Sequence, residues 1–143
     1  YVYREKGLYD KAIAQYRKSV EIDPKHPHAH YDIGYIYRMM GQYEEALEAY
    51  KKAVEVNPKH PHAHYDIGYI YRMMGQYEEA LEAYKKAVEV NPKHPHAYYD
   101  MGLVYEKLGM KDRAKEAFKK HYEVTSLSRL EIFFQKLRGK YKK

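Results

Sequence analysis

Apolar residues recur along this chain with the spacing of amphipathic helices. Between Pro27 and Met40 the pattern places one apolar residue on each turn of a single face, which predicts a first helix: His30, Ile33, Gly34 and Tyr37. After Gly41 a second face follows: Tyr43, Ala46, Leu47, Tyr50, Ala53 and Val54. Glutamates and lysines occupy the opposite side, and Asn57-Pro58 ends the second helix because a residue before proline disfavours helical geometry. Residues 27–60 are therefore predicted to form a helical hairpin.

The hairpin is repeated. Residues 24–57 recur without a change as residues 58–91, which gives a period of 34 residues. A diverged copy follows, so that full units are predicted at 27–60, 61–94 and 95–126, after a partial unit at 1–26. One hairpin cannot bury its own apolar faces, and stacked hairpins can. The sequence therefore predicts an all-α solenoid.

The spacing that recurs in each unit resembles that of the tetratricopeptide repeat. The residues that carry the resemblance in the first two full units are His30, Ile33, Gly34, Tyr37, Ala46, Tyr50 and Pro58, then His64, Ile67, Gly68, Tyr71, Ala80, Tyr84 and Pro92. The third unit keeps the pattern but has Ser126 in place of the proline. The resemblance implies a right-handed α-solenoid of stacked antiparallel helix pairs, with a concave surface lined by the first helix of each pair.

The repeat pattern is lost after Ser126. Apolar residues then recur at helical spacing: Leu127, Leu130, Phe134, Leu137 and Tyr141. Ser128 and Glu131 stand at the spacing of a capping box, which predicts a separate amphipathic helix over 127–143. We expect this helix to cap the exposed face of the last hairpin. The alternative is a basic helix that binds a membrane surface or an acidic partner.

Charge and composition narrow the classes of function. The net charge is +6, but residues 125–143 carry six basic residues and one acidic residue, so that the body is almost neutral. A nucleic-acid partner is therefore not expected. The chain has no cysteine, which excludes disulfides and thiolate metal sites. No apolar run is long enough for a membrane span, and we expect a soluble, cytoplasmic protein.

Neither catalysis nor a cofactor is predicted. Hydroxyl nucleophiles are few, the glycines are isolated and the aspartates lie one repeat apart, so that no catalytic group or phosphate loop can be assembled. The His-rich loops offer one alternative, because His26 and His30 have the i, i+4 spacing of a metal site. We interpret His30 and His64 instead as buried, neutral packing residues whose protonation would destabilise the fold.

The face of each first helix that lies opposite the core is the candidate binding surface, here named the predicted groove. Its residues are His28, Tyr31, Asp32, Tyr35, Arg38, Met39, His62, Tyr65, Asp66, Tyr69, Arg72, Met73, His96, Tyr99, Asp100 and Leu103. Tyrosine and arginine carry much of the binding energy in protein interfaces. We therefore predict a scaffold that binds a protein or peptide segment of aromatic, proline or basic character, because an acidic tail would meet the aspartates.

Two further readings remain open at this stage. The groove tyrosines could pack only against neighbouring first helices, in which case Tyr65→Ala would destabilise the fold instead of leaving it unchanged. The two identical units could also belong to a structural, self-assembling or engineered module that has no dedicated ligand. Exposed repeat ends would then favour homo-oligomers.

Overall fold

The computed structural model describes residues 2–140, and in this range the chain forms seven α-helices and no strand. The helices are α1 (Val2–Ile22), α2 (Ala29–Met39), α3 (Tyr43–Val56), α4 (Ala63–Met73), α5 (Tyr77–Val90), α6 (Ala97–Lys107) and α7 (Lys111–Lys140). Helices α2 with α3, α4 with α5, and α6 with α7 pack as pairs, and each pair contacts the next along the chain. The predicted all-α solenoid of stacked helix pairs is confirmed.

Each hairpin turns at a glycine and is separated from the next by an asparagine loop. Gly41, Gly75 and Gly109 have φ values of 72°, 76° and 73°, a left-handed geometry that favours glycine. At the first of these turns the Gln42 N–H donates to the Tyr37 carbonyl at 2.9 Å, which closes the helix end. In the loop after α3, the Asn57 side-chain oxygen accepts the Lys59 N–H at 3.2 Å.

The core depends on small residues where the two helices of a pair cross. The ring of Tyr84 lies so close to Gly68 that a Cβ at this position would stand 2.6 Å from the ring carbon Cδ1. Gly34 meets Tyr50, and Gly102 meets Phe118, in the same way. Alanines on the second helices are buried at the same crossings: Ala46, Ala80 and Ala114. The helix axes can therefore approach closely without a cavity.

The C-terminal end differs from the prediction. Helix α7 continues through Ser126 to Lys140 without a break, so that the separate helix predicted over 127–143 is wrong. The Ser128 hydroxyl donates to the Val124 carbonyl at 2.9 Å, which is the bond of a residue inside a helix and not of a capping box. The physical reason is the missing proline, because Ser126 stands where proline follows the other second helices.

The prediction that the apolar side chains of this segment cover the last hairpin is also wrong. The side chains expected to cover the last hairpin are largely exposed: Leu127, Leu130 and Phe134. Leu137 is half-buried, and Tyr141 lies outside the described residues. Within residues 2–140 no helix is sufficiently long and apolar to span a membrane.

The N-terminal unit is one helix instead of a shortened hairpin. Gly7 aligns with the turn glycine Gly41, but it lies inside α1 and does not adopt a positive φ. The helical hydrogen bonds therefore continue through Gly7.

These two glycines give a direct test of the helix ends. Gly7→Ala should raise the free energy of unfolding by about 0.5–1 kcal/mol, because alanine is the better helix former and a Cβ at Gly7 would meet no atom within 4 Å. Gly41→Ala should lower it by about 1 kcal/mol, because the left-handed turn strains a Cβ. Urea unfolding measures both values. Equal destabilisation by the two substitutions would show a turn at Gly7 and contradict the continuous α1.

Candidate functional site

The structure separates the predicted groove into three groups of residues. The exposed residues are His28, Tyr35, Met39, His62, Met73, His96 and Tyr99. The half-buried residues are Tyr31, Asp32, Arg38, Tyr65, Tyr69, Arg72 and Leu103. Asp66 and Asp100 are buried, with exposed fractions of 4% and 7%. The sixteen residues therefore do not form one uniform surface.

The buried aspartates join neighbouring repeats. The Tyr31 hydroxyl donates to Asp66 Oδ2 at 2.7 Å, and Arg38 Nη1 donates to Asp66 Oδ1 at 3.0 Å. One repeat later the Tyr65 hydroxyl donates to Asp100 Oδ2, also at 2.7 Å. The expectation that these two carboxylates meet a ligand is wrong, because both are enclosed and already bonded to side chains of the preceding unit.

Burial sets the protonation of these groups. It raises the pKa of the Tyr31 and Tyr65 hydroxyls above the ordinary value, and the adjacent carboxylates raise it further. Both hydroxyls therefore remain protonated donors. Burial also raises the pKa of the Asp66 carboxyl, whereas the hydrogen bond from Tyr31 and the charge of Arg38 oppose that rise.

Each of these tyrosines is also enclosed by aromatic rings. Tyr31 stacks on His60 with ring centroids 4.5 Å apart and lies 5.4 Å from the ring of Tyr50. Tyr65 stacks on His94 at 4.6 Å. Tyr31 and Tyr65 therefore contribute to the packing between repeats, as the alternative reading from the sequence proposed. The expectation that Tyr65→Ala would leave stability unchanged is not supported by these contacts.

The sequence did not identify the histidines that are buried. His60 and His94 are only 3% and 4% exposed, whereas His30 and His64 are half-buried. The ring of His64 bonds the Pro58 carbonyl through Nε2 at 2.7 Å. The earlier assignment of His30 and His64 as the buried pair is therefore wrong. The available signal was the position of His26, His60 and His94, each directly before the proline that opens a first helix.

These histidines act as caps for the first helices. His60 Nδ1 accepts the backbone N–H groups of His62 and Ala63 at 3.3 and 3.2 Å, and His94 Nδ1 accepts those of His96 and Ala97 at 3.3 and 3.1 Å. The first N–H groups of a helix have no partner within the helix, and a nearby acceptor satisfies them. Because Nδ1 accepts, the proton of the neutral ring resides on Nε2.

This arrangement bears on the metal alternative. His26 Nδ1 accepts the Ala29 N–H at 3.1 Å, and His30 Nε2 lies 3.3 Å from the Pro24 carbonyl. Both rings of the proposed pair are therefore already engaged with the backbone. Across residues 2–140 no group of three or more histidine, aspartate or glutamate side chains is arranged to hold a metal ion.

A row of rings and guanidinium groups remains accessible on the same face. Arg38 lies between two tyrosines, with its guanidinium carbon 5.0 Å from the ring centroid of Tyr35 and 5.3 Å from that of Tyr69. Arg72 lies 5.5 Å from the same Tyr69 centroid. These are cation–π distances. We name Tyr35, Arg38, Tyr69 and Arg72 the tyrosine–arginine stripe.

The third repeat does not continue the stripe. Leu103 and Glu106 stand where the earlier units have tyrosine and arginine. Tyr99 corresponds to Tyr31 and Tyr65, but the residue 35 positions further on is Phe134 instead of an aspartate. Tyr99 is accordingly exposed, and its ring contacts Phe118 and His121. The repeat-to-repeat contact therefore ends at the third unit.

Comparisons with known proteins agree with the architecture. A family model described as "TPR repeat" matches residues 1–41, 34–75 and 68–109, and one described as "Tetratricopeptide repeat" matches residues 95–124. A solved structure described as "Crystal structure of MamA protein" is 30% identical, with a TM-score of 0.76, over 99% of this chain and 72% of that one. MamA residues 41 to the end from Desulfovibrio magneticus RS-1 is 27% identical, with a TM-score of 0.74, over 86% and 70%. A comparison with curated proteins gave no match.

The tyrosine–aspartate contacts can be tested with three equivalent hydroxyl deletions. Tyr65→Phe should lower the free energy of unfolding by about 2 kcal/mol, because Asp100 loses the one donor it has among residues 2–140. Tyr31→Phe should cost less, because Arg38 still donates to Asp66. Tyr99→Phe is the control and should cost almost nothing. Urea unfolding measures the free energy of unfolding of all three variants. Equal effects would contradict the hydrogen bonds from Tyr31 to Asp66 and from Tyr65 to Asp100.

The buried histidines predict a loss of stability in acid. Burial is the main cause that lowers the pKa of His60 and His94 below the ordinary value of 6.5, and neighbouring histidines lower it further. The unfolded chain then takes up the protons first. Stability is therefore full above about pH 6.5 and is lost as the pH falls through the lower folded pKa.

Urea midpoints at about pH 7.5 and about pH 5 test this. His60→Asn/His94→Asn should remove most of the difference, because asparagine offers an acceptor that does not titrate. His30→Asn/His64→Asn is the matched control and should keep it. If the control variant loses the difference between the two pH values instead, the assignment of the acid response to His60 and His94 is wrong.

Proposed function

From the premise that the chain belongs to the tetratricopeptide repeat family and is, in general terms, a protein-interaction scaffold, we propose that it binds an extended peptide segment across the tyrosine–arginine stripe. The observation that carries the proposal is the alternation of rings and guanidinium groups on the accessible face of α2 and α4. Exposed methionines border it: Met39 and Met73. Tyrosine, arginine and methionine are enriched in protein interfaces.

Arg38 is held in place before any ligand arrives. Its guanidinium group is fixed at one edge by Asp66 and lies between the rings of Tyr35 and Tyr69. A side chain that is already ordered loses little conformational entropy when a partner binds, so that more of the contact energy contributes to affinity. The two rings beside it offer flat apolar surfaces for proline or aromatic side chains of a peptide.

Arg72 is partly enclosed beside Tyr84. Its Nε and the Tyr84 hydroxyl are both buried and lie close to each other, and neither has another hydrogen-bond partner among residues 2–140. An apolar peptide side chain could contact Met73 and Leu103, which line a shallow depression with Arg72. The preferred ligand therefore includes apolar side chains.

The preference for a basic ligand loses its main support. It depended on aspartates at the surface of the groove, but Asp66 and Asp100 are buried. Arg38 and Arg72 are the charged groups that the stripe presents. An acidic residue in the ligand is therefore compatible with this surface, in contrast to the expectation from the sequence.

Self-association is the second candidate function. The observation that favours it is that Tyr99 ends the series of tyrosines without a carboxylate, whereas Asp32 is only half-buried at the other end. A second copy stacked end to end could bring these two groups together. Sedimentation of the unmodified chain over a wide concentration range distinguishes this function from peptide binding, which does not require assembly.

The peptide proposal is tested by selecting ligands from a displayed library of random peptides on the immobilised chain. Selected peptides should lose roughly 5- to 100-fold in affinity on Tyr35→Ala or Tyr69→Ala, the range of an interface tyrosine. Calorimetry measures the affinities, and circular dichroism confirms that each variant is folded.

Tyr122→Ala is the matched control, because Tyr122 is an exposed tyrosine on α7 away from the stripe. This variant should bind the peptides as tightly as the unmodified chain. Peptides that bind all three variants equally would place the binding surface elsewhere and contradict the proposal.

A further inference from the structure

The second half of α7, residues 125–140, leaves the body of the solenoid. Val124 is the last buried residue among residues 111–139 of the helix. Beyond it the apolar side chains other than the half-buried Leu137 are exposed, with fractions of 55% for Phe133 and 51% for Phe134. Isolated exposed apolar residues are normal on protein surfaces, but a continuous set on one helix indicates an interaction surface.

The direction of this apolar set follows from helix geometry. Val124, Ser128 and Glu131 recur at i, i+4 and i+7, and Glu131 bonds Lys93 of the body at 2.9 Å. These residues therefore mark the side that faces the solenoid. At about 100° per residue, most of the apolar set lies on a different side: Leu127, Leu130, Phe133, Phe134 and Leu137. Among residues 2–140 the apolar face consequently has no partner.

Basic residues flank the apolar face on both sides. Arg129 and Lys136 lie along one edge, and Arg138 lies along the other. Glu131 is the one acidic residue between 125 and 140, and Lys93 neutralises it. The surface that projects from the solenoid therefore combines aromatic and aliphatic side chains with uncompensated positive charge. This is the composition of helices that lie in the interface of an anionic membrane.

We propose that the second half of α7 docks on the surface of an anionic lipid bilayer, with the helix parallel to the membrane plane. Phe133, Phe134 and Leu130 enter the boundary between headgroups and acyl chains, while Arg129, Lys136 and Arg138 contact lipid phosphates. Attachment is peripheral, in keeping with the absence from residues 2–140 of any helix able to cross a bilayer.

The positive charge beside the apolar face favours an anionic lipid surface as its partner over a second copy of the same helix. Two copies paired through this face would bring basic edges of the same sign together, which is unfavourable. An anionic bilayer instead attracts each lysine or arginine near its surface, and the apolar residues add the energy of burial. This inference is independent of peptide binding, because the tyrosine–arginine stripe lies on other helices.

Vesicle sedimentation with the full chain tests the proposal. The chain should sediment with vesicles of phosphatidylcholine that contain about 30% phosphatidylglycerol, and not with phosphatidylcholine alone. Added salt should weaken the binding. Phe133→Gln/Phe134→Gln and Lys136→Glu/Arg138→Glu should each weaken it by roughly tenfold or more, whereas Phe133→Leu/Phe134→Leu should retain it.

A matched control distinguishes binding by the second half of α7 from unspecific attraction by the net positive charge of the chain. Lys115→Glu/Lys119→Glu makes the same change of charge in the first half of α7, at two exposed lysines, and should bind almost as the unmodified chain does. Equal loss in this control would overturn the proposal in favour of unspecific attraction. Absence of sedimentation with anionic vesicles would also overturn it. Dimerisation that depends on Phe133 and Phe134, without vesicle binding, would assign the face to a second copy.

Discussion

A carboxylate enclosed between two helix pairs is the constraint on which the remaining contacts of this solenoid depend. An unpaired buried charge is costly, so Asp66 must be met by donors from the preceding repeat. Tyr31 and Arg38 supply them. Their positions in turn place the guanidinium of Arg38 between Tyr35 and Tyr69. The accessible stripe is therefore a consequence of how the repeats are joined, and the binding surface and the packing share one set of side chains.

The sequence predicted the helical units because apolar spacing, glycines and prolines act locally. It also places Gly34, Gly68 and Gly102 at one repeated position, where the structure shows a close approach of two helices. It could not rank the groove tyrosines. A helical wheel places Tyr31 and Tyr35 on the same half of α2, but only the distance to the next repeat shows that Tyr31 is enclosed and Tyr35 is exposed.

The same limit explains the errors at the histidines and at the chain ends. His60 precedes a proline in a loop, where local pattern indicates a solvated side chain, and its burial comes from Tyr31 of the preceding repeat. Gly7 and Ser126 lie where a turn exists in the other units. Where neither tertiary contacts nor a proline enforce a turn, the helix continues. The apolar spacing therefore correctly predicted helices in α1 and α7, but the breaks expected at Gly7 and Ser126 do not occur.

The bond from Tyr31 to Asp66, and from Tyr65 to Asp100, always runs from one unit to the next in the same direction and over the same number of residues. Removal of one whole unit would therefore bring Tyr31 opposite the carboxylate of Asp100, with the spacing of 35 residues between tyrosine and aspartate unchanged. Insertion of a further identical unit would create one more copy of the same junction. The number of units can thus vary by gain or loss of a whole 34-residue unit without any new kind of side-chain contact having to arise, and the length of the accessible stripe would vary with it.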